Sequence, residues 1–528
     1  MRRFLTGAGL CALVMPLAAA GQTMPTPGTT APNRTARTTM APSTTPPPVE
    51  PTAQPVPDGR IATVPAPAAA PATGYPEAAS GYGAKAGGRF YLARWAEDWS
   101  FLRDPFKRTR PVDALKFIPL AGDGDVYLTL SAEQRLRHDT TTSPGLHAGR
   151  DTNTILFRNV VGADLHVGEH LRAYGELASG VQEGGYFGAV TPVQRNDLFV
   201  QELFAEVKGH VGNGIEAGAR IGRQDFQDGP LQLVSIQENP NMHITFDGIR
   251  LYANGRKARI GLFDLRYTKL GIDAFDDPTD RDRRFAGATG SLVVPPSVFG
   301  GSKLYFDPFF YYLRNRTQHW GTQTAREERR FWGARLWGDI GPMNLDVSVN
   351  RQTGSYDDRA IVAYQAFAAQ TFALGAATPT APRIGWRADF GSGGGAFGTG
   401  QLRNANVLFG TAPYFSYGTF LGPSNYLDVA PTFSFTPAEN VRTLAEVAFV
   451  WRDDERDAVY SGVGGAYLGT QNVAGHAVAQ LARMMTTWAA TTHLSFTIRA
   501  EYLRADKVLT RAGYSDALFT GVWTTVRF

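Results

Sequence analysis

The chain has 528 residues, of which 43% are hydrophobic, 12% aromatic and only 19% charged, and it contains 58 glycines. The formal net charge of +4 is too small, and the basic residues are too scattered, for a nucleic-acid-binding surface. No stretch of about 18 consecutive apolar residues occurs, which excludes a transmembrane helix from the mature chain but leaves a closed β-barrel possible.

The first 20 residues have the pattern of a secretory signal peptide. Arg2 and Arg3 supply a positive start, residues 4–17 are mainly apolar, and residues 18–20 are the small alanines that precede a cleavage site. The only cysteine, Cys11, lies within this segment, so the exported chain is predicted to contain no cysteine. Disulfides and cysteine-based metal sites or nucleophiles are therefore excluded, and export of such a chain fits the bacterial envelope.

Residues 21–87 are dominated by proline, threonine and alanine. Such a segment cannot bury enough apolar surface to offset the entropy of ordering, so we predict a disordered periplasmic tether. A plain spacer is one interpretation of it. A segment that contacts peptidoglycan or a periplasmic partner is the other.

From residue 88 to residue 528, apolar and polar residues repeatedly alternate with the period of two that is typical of β-strands. The alternation is clearest at residues 127–137. There Leu128, Leu130, Ala132 and Leu136 fall on one face, with Gln134 as the exception, and Thr129, Ser131, Glu133, Arg135 and Arg137 fall on the other. The pattern recurs at residues 158–167, 171–177, 199–207, 345–352, 442–452 and 493–503.

Short turns rich in Gly, Asn and Pro separate some of these segments, and longer loops are predicted at residues 180–196, 273–288, 363–383 and 391–400. Alternating short turns and long loops are typical of transmembrane barrels, with the turns on the periplasmic side. At roughly 10 residues per strand, the segment has room for on the order of 16 to 20 strands. We therefore predict an all-β protein, a large antiparallel transmembrane β-barrel preceded by a disordered Pro/Thr-rich segment.

The sequence alternates again at residues 516–528 and is predicted to form the last strand there. A last strand that stops on an aromatic residue resembles the closing strand of bacterial outer-membrane barrels, where it serves as an assembly signal. We expect this strand to close the barrel against a first strand near Arg89. Arg527 is then expected at the rim or in the lumen, and Phe528 at the lipid interface.

The charged face of each strand is expected to point into the lumen, because a charge facing lipid costs about 2–4 kcal/mol near the bilayer midplane. The side chains placed inside by this rule are Glu133, Arg135, Arg137, Arg158, Arg172, Glu176, Glu202, Glu206, Arg250, Arg442, Glu446, Arg499 and Glu501. Two uses of these charges remain open. Pairs of Arg and carboxylate can brace the wall, or arginines without a carboxylate can form a track for anions, since a guanidinium donates two hydrogen bonds to one carboxylate.

Five segments carry a resemblance to a known family. They are R-W-A-E-D-W at 94–99, L-K-F-I-P-L at 115–120, Y-L-T-L-S-A-E-Q-R-L-R at 127–137, G-R-Q at 222–224 and F-D-G-I-R at 246–250. In this order and spacing they resemble the alginate-export family of outer-membrane barrels, over roughly the whole chain after residue 88. The chain departs from the family pattern at Ser131-Ala132, where glycines are usual, at Ile244-Thr245, where a polar or basic residue is common, and in its tether.

The resemblance implies a monomeric barrel of about 18 strands, with an electropositive constriction that passes an acidic polysaccharide such as alginate outwards. The resemblance also implies that the side chains of five matched residues face the lumen: Glu133, Arg135, Arg137, Arg223 and Arg250. With the alternation, it gives these candidate lumen and substrate-path residues: Glu133, Arg135, Arg137, Arg158, Arg172, Arg223, Arg250, Arg442, Glu446 and Arg499.

The motifs of enzymes give little support to a catalytic function. A G-x-G-x-x-G match at residues 393–398 lies in a glycine-rich loop without the βαβ pattern of a dinucleotide site. The nine histidines show no metal-ligand spacing, and the acidic stretch at 273–282 lacks the spacing of an EF-hand calcium loop. We therefore expect no enzyme activity, no cofactor and no metal centre. For the acidic stretch, a solvated outer loop is the expected interpretation, and a Ca²⁺ site with oxygen ligands is the alternative.

The predicted function is an outer-membrane channel for anionic solutes, most specifically the export of an acidic polysaccharide. Expected partners are that polysaccharide or small anions, outer-membrane lipid and the barrel-assembly machinery. Two alternatives share the same fold: a nutrient porin for small carboxylates or sugars, and a structural or adhesive surface barrel that acts through its long loops.

Overall fold

The computed structural model describes residues 90–185, 189–212, 214–375 and 380–528. The predicted signal peptide at 1–20 and the predicted tether at 21–87 lie outside these ranges. The described chain is almost entirely β, with two short α-helices, α1 (Asp113–Lys116) and α2 (Lys507–Arg511). Within the same ranges, no helix has the length and apolar character needed to cross a membrane.

The strands follow one another in a regular series. Their bounds are β1 (Ile118–Ala121), β2 (Val126–Thr141), β3 (Thr152–Val167), β4 (Leu171–Gly185), β5 (Asn196–His210), β6 (Glu216–Gln224), β7 (Phe246–Asn254), β8 (Ala258–Thr268), β9 (Thr279–Val294), β10 (Lys303–Trp320), β11 (Gln323–Ile340), β12 (Met343–Tyr356), β13 (Arg359–Ala373), β14 (Arg383–Gly391), β15 (Tyr426–Ala438), β16 (Val441–Trp451), β17 (Val459–Tyr460), β18 (Ala466–Tyr467), β19 (Ala477–Ala489), β20 (Leu494–Ala505) and β21 (Ala517–Arg527).

One sheet of 19 strands contains all of these except β17 and β18, which form a small hairpin of their own. Successive strands of the sheet pair antiparallel, and β21 returns to pair with β2, from Arg527 opposite Glu133 to Phe519 opposite Thr141. The four-residue β1 only adds to the start of β2. The other 18 strands therefore form a closed antiparallel β-barrel, which confirms the predicted fold class.

The two faces of the strands segregate as the alternation predicts. Leu136, Val161 and Leu203 point outwards and are 51%, 58% and 61% exposed, as expected for side chains that lipid covers. The intervening positions point inwards, and Glu133 and Arg135 there are almost completely buried. A lipid-facing apolar surface thus surrounds a lumen rich in charged groups.

The closing strand lies where predicted, but its partner does not. The prediction of a first strand near Arg89 is wrong, because residues 90–116 form short turns and α1, and the barrel begins at β2. Prolines at 105 and 111 interrupt this segment, and a proline cannot donate to a sheet ladder. At the seam, the main chain of Phe528 exchanges two 3.0 Å hydrogen bonds with Ala132.

Several predicted loops are also corrected. Most of residues 363–383 belongs to β13, β9 begins at Thr279 inside the predicted loop 273–288, and β4 extends to Gly185 inside the predicted loop 180–196. The glycine-rich connection is longer than predicted and covers residues 392–425. Small residues in β13 and charges in β9 hide the period of two, so strand pairing rather than local pattern defines these segments.

Two long connections fold back into the barrel. We call residues 225–245, between β6 and β7, the inner loop, and residues 392–425, between β14 and β15, the second loop. They meet where Val234 forms a parallel bridge with Phe409, whose main-chain nitrogen donates to the Leu233 carbonyl at 2.9 Å. Phe226 and Tyr414 belong to the apolar cluster that surrounds this contact. The lumen at this level is therefore filled by folded protein.

Candidate functional site

Glu133 on β2 is the centre of a buried ion cluster in the lumen. Its carboxylate binds Arg94 at 2.9 Å, Arg527 at 2.6 Å and Arg158 on β3. Arg94 comes from the segment before the barrel and also binds Glu176 on β4 at 3.0 Å. This cluster thus connects the N-terminal segment, the first strands and the closing strand.

The N-terminal segment is held in the barrel by a second anchor, Trp95. Its indole nitrogen donates to Asp225 at 3.2 Å, and its ring packs edge-on against Phe204. The guanidinium of Arg220 lies 3.7 Å from the centre of the same ring. Because Arg172 donates to the main-chain oxygen of Trp95, this predicted lumen residue also holds the segment in place.

Arg135 and Arg137 on β2 bind the inner loop through its main chain. Arg135 donates to the carbonyl oxygens of Glu238 and Pro240, both at 2.7 Å, and Arg137 donates to that of Asn239 at 2.5 Å. Arg137 also binds Asp139 through its Nε at 2.7 Å. The loop therefore supplies oxygen acceptors to arginines on a wall strand that lies four strands from β6.

Glu238 anchors the same loop by charge. Its carboxylate accepts from Arg158 at 3.1 Å and lies 2.6 Å from Nε2 of His243. Burial alone would raise the pKa of the Glu238 carboxyl, but Arg158 and His243 outweigh it and hold that pKa well below its usual range. The carboxylate therefore stays ionised and the loop stays tied to β3 at neutral pH.

Trp523 on β21 gathers three lumen arginines. The guanidinium carbons of Arg135, Arg137 and Arg499 lie 5.4, 4.9 and 4.4 Å from the centre of its ring. Arg499 also donates to the side-chain oxygen of Asn239 at 3.3 Å. An aromatic face attracts cations through its quadrupole, so Trp523 lowers the cost of holding three positive groups together.

The remaining predicted arginines of the lumen are paired with carboxylates in most cases. Arg172 binds Asp164 through Nε at 2.7 Å, and Arg250 binds Asp228 in the inner loop at 3.1 Å. Arg442 lies on the lumen face of β16, four residues before Glu446. The structure thus places bracing ion pairs along much of the wall.

Glu446 belongs to a second cluster, which fixes the second loop. It binds Arg483 at 2.6 Å and Arg387 at 3.1 Å. Arg483 also donates a hydrogen bond to the main-chain oxygen of Tyr414 at 2.6 Å. Glu501 accepts one from the main-chain nitrogen of Tyr417 at 2.8 Å. Each loop in the lumen is therefore held by an arginine–carboxylate cluster on the wall.

Arg223 is the predicted residue that the structure places elsewhere. It pairs in register with Leu203, which is 61% exposed on the outer surface, and it binds Asp247 at 2.9 Å on that same face. The expected lumen position of Arg223 is therefore wrong. Gln224, its neighbour, is the inward and fully buried residue of the motif, and a shift of one residue reverses the face.

Sequence reasoning missed several participants of these clusters. They are Arg94, Asp228, Glu238, Asn239, Arg387 and Arg483. Arg387 and Arg483 lie on strands and could have been found by alternation. Asp228, Glu238 and Asn239 lie on the inner loop, whose position inside the barrel has no local signal.

The wall arginines are hidden in this conformation. Arg135, Arg137, Arg158 and Arg499 are only 1%, 4%, 0% and 2% exposed. A solute can reach Arg135 and Arg137 only if the inner loop, which binds both, moves aside. The arrangement can then present several guanidinium groups to one anion, which is the chemistry that binds carboxylates and phosphates.

The described ranges contain no group of three or more His, Cys, Asp or Glu side chains that could hold a metal ion. In the acidic stretch after β8, the Asp276 carboxylate accepts from the main-chain nitrogens of Ile272 and Asp273. Asp277 likewise accepts from Asn196 and from the main chain of Gly271, both at 2.9 Å. These carboxylates stabilise their own loop.

A family model described as alginate export matches residues 126–520. The chain belongs to the alginate export family. The match begins at the first residue of β2 and covers most of the barrel. None of the curated proteins compared with the chain matches it. Family and fold together identify the protein as a channel of the outer membrane.

Solved structures share the fold at low identity. OccK2 (OpdF) of Pseudomonas aeruginosa in complex with glucuronate is 11% identical, with a TM-score of 0.50, over 76% of this chain and 98% of that one. OpdK of the same organism with vanillate is 9% identical, with a TM-score of 0.50, over 76% and 98%. OccAB1 of Acinetobacter baumannii is 12% identical, with a TM-score of 0.50, over 79% and 99%.

The ion pairs of Asp228 make the free energy of unfolding of this alginate-export barrel depend on pH. Burial alone would raise the pKa of the Asp228 carboxyl, but Arg259 (2.6 Å) and Arg250 (3.1 Å) lower it to about 2. The pKa of Asp in an unfolded chain is about 3.9. The two ion pairs therefore contribute fully to the free energy of unfolding above that pH, and their contribution is lost as the pH falls through about 2.

We therefore expect Asp228→Asn to lower the free energy of unfolding by about 2 kcal/mol at neutral pH and by nearly nothing at pH 2. Urea unfolding in detergent, followed by tryptophan fluorescence across this pH range, measures the difference. Asp358→Asn, in an exposed turn, is the matched control. A deficit that is independent of pH would contradict the assignment.

Proposed function

We propose that this channel passes anionic solutes and exports an acidic polysaccharide such as alginate through its arginine-containing lumen. The convergence of Arg135, Arg137 and Arg499 on Trp523 carries the proposal. Guanidinium groups this close together create a positive constriction that attracts anions and repels cations. The constriction lies on β2, β20 and β21, next to the seam of the barrel.

The inner loop acts as a gate that the anion itself opens. Apart from the Glu238 carboxylate, which lies 3.4 Å from Arg135, the loop offers Arg135 and Arg137 neutral carbonyl oxygens at 2.5–2.7 Å. A hydrogen bond from a guanidinium to a carboxylate is roughly twice as strong as one to a neutral acceptor. A solute that carries carboxylates therefore competes with the loop for these arginines, and the loop returns after the solute has passed.

The periplasmic mouth supports export of a polymer. Arg383 is the first residue of β14 and Arg442 is the second residue of β16, and both strands begin at this end of the barrel. Both arginines lie on the lumen faces of their strands. A polysaccharide with one carboxylate per sugar can contact both arginines at once, which raises its affinity over that of a single sugar acid.

Uptake of small carboxylates is the second candidate, and a cavity near the extracellular end favours it. The cavity has a volume of about 260 Å³ and is lined by Arg283, Asn315, Asn406 and Tyr460, among others. This size suits one small solute rather than a polymer. Glucuronate and vanillate, the compounds named with OccK2 and OpdK, are therefore suitable probes.

Planar-bilayer recording with acidic polymer and monomer separates the functions. For export, we expect a polyuronate on the periplasmic side to block the current at a lower carboxylate concentration than glucuronate. Arg383→Gln with Arg442→Gln should weaken that block, whereas Arg195→Gln in an exposed loop should not. Equal block by glucuronate from the extracellular side would favour uptake. If neither compound blocks the current, export and uptake are both contradicted, and a structural or adhesive surface barrel remains.

A further inference from the structure

The outer surface of the barrel carries five arginines on neighbouring strands. We call Arg266, Arg284, Arg314, Arg330 and Arg351, on β8 to β12, the outer arginine patch. Their chain neighbours Leu265, Phe285, Leu313, Phe331 and Gln352 point into the lumen and are at most 5% exposed. Because adjacent residues of a strand face opposite sides, the arginines face outwards.

Strand register joins these arginines into one surface. Arg284 lies opposite both Arg266 on β8 and Arg314 on β10. Arg330 on β11 lies opposite Tyr312, two residues before Arg314 on β10. Arg351 on β12 lies opposite Trp332, two residues after Arg330 on β11. Side chains directly opposite across an antiparallel pair are close enough to act on the same ligand. The patch therefore runs continuously across five strands.

Aromatic side chains fix the depth of the patch in the membrane. Trp332 is 55% exposed and packs on Phe310 at 4.4 Å, and Tyr364 lies opposite Arg351 on the next strand. Outward aromatic residues mark the membrane–water interface of such barrels. The patch lies at this belt and extends from it towards the extracellular end. It is thus at the level of the outer-leaflet head groups.

Carboxylates on this face do not balance the patch. Asp264 binds Arg284 at 2.6 Å and Arg266 at 3.5 Å. The other nearby acids, Glu328, Asp247 and Asp282, bind Arg326, Arg223 and Arg316, which lie outside the patch. Among the described residues, no carboxylate lies within ion-pair distance of Arg314, Arg330 or Arg351. Arg330 and Arg351 are exposed and keep their guanidinium donors for an external partner, and Arg314 does so except for its buried Nε.

We propose that the outer arginine patch binds the phosphorylated head groups of glycolipid in the outer leaflet. Arginine suits phosphate because its planar fork donates two parallel hydrogen bonds and stays charged. Exposed arginines at the boundary of lipid need an anionic counterpart, and the phosphates of that leaflet supply it at this depth. The proposal does not depend on what passes through the lumen.

The test compares lipid binding by the purified wild-type barrel and by the triple variant Arg314→Gln, Arg330→Gln and Arg351→Gln. Native mass spectrometry from detergent, titrated with bisphosphorylated lipid A, gives the dissociation constant. At about fivefold per arginine, we expect the triple variant to bind about 100-fold more weakly. The variant with Arg150→Gln and Arg195→Gln in exposed loops and Arg511→Gln at the exposed end of α2 has the same charge change and should bind like wild type.

Two further ligands distinguish the source of the phosphate. Dephosphorylated lipid A should bind wild type as weakly as bisphosphorylated lipid A binds the triple variant, and millimolar inorganic phosphate should not displace bound lipid A. Equal lipid A affinity of the wild-type barrel and the triple variant would overturn the proposal, as would displacement by inorganic phosphate alone. Retained heat-dependent mobility on gels shows that each variant is folded.

Discussion

Glu133→Gln is expected to lower the free energy of unfolding by about 3–5 kcal/mol, because it removes the carboxylate from a buried ion cluster. Arg94, Arg158 and Arg527 all bind this carboxylate, and it is 2% exposed. A neutral amide leaves three buried guanidinium groups with one fewer anion. The cluster also joins β2 to the closing strand, so barrel assembly should suffer.

Urea unfolding in detergent measures the stability, and the heat-dependent mobility shift on gels measures the assembled fraction. Glu169→Gln, in an exposed turn, is the control and should unfold like wild type. Unchanged unfolding of Glu133→Gln would show that the other carboxylates of the cluster, such as Glu176 and Glu238, suffice to hold these arginines.

Locking the inner loop to the wall is expected to abolish most of the conductance. Gly180 on β4 and Asn241 on the inner loop are close, since a Cβ at Gly180 would lie 3.0 Å from that of Asn241. A disulfide needs about 3.5–4.5 Å between these atoms, so a small shift accommodates one. Cys11 lies in the predicted signal peptide, so the double variant Gly180→Cys and Asn241→Cys should carry no competing thiol after export.

Planar-bilayer recording of the double variant before and after reduction measures the effect. The oxidised barrel should conduct several-fold less than the same barrel after reduction, and each single-cysteine variant should be insensitive to reductant. Equal conductance of the oxidised and reduced forms would mean that the inner loop does not need to move, which would contradict a gate at Arg135 and Arg137.

The barrel strands could be predicted where side chains alternate strictly, as at residues 127–137 and 516–528. Prediction failed where the composition hides the period of two, as in β13 with its small residues. It also failed where a contact with a distant part of the chain decides whether a segment joins the sheet. The first strand is β2 rather than a segment near Arg89, because Arg94 and Trp95 insert into the lumen instead of joining the sheet.

The lumen site could be predicted in part. Alternation identified Arg137 and Arg499, but not their shared partner Asn239, which lies 102 and 260 residues away along the chain. Contacts over such separations leave no trace in the local pattern. The choice between bracing and an anion track also needed the fold, since the inner loop now occupies the very groups that would form the track.

The reversal potential of the purified barrel in a salt gradient shows whether the lumen selects anions. We expect anion selectivity for wild type and a shift towards cations for the variant with Arg135→Gln, Arg137→Gln and Arg499→Gln, with Arg195→Gln unchanged. A cation-selective wild-type channel, or a triple variant with an unaltered reversal potential, would contradict a positive constriction at Trp523.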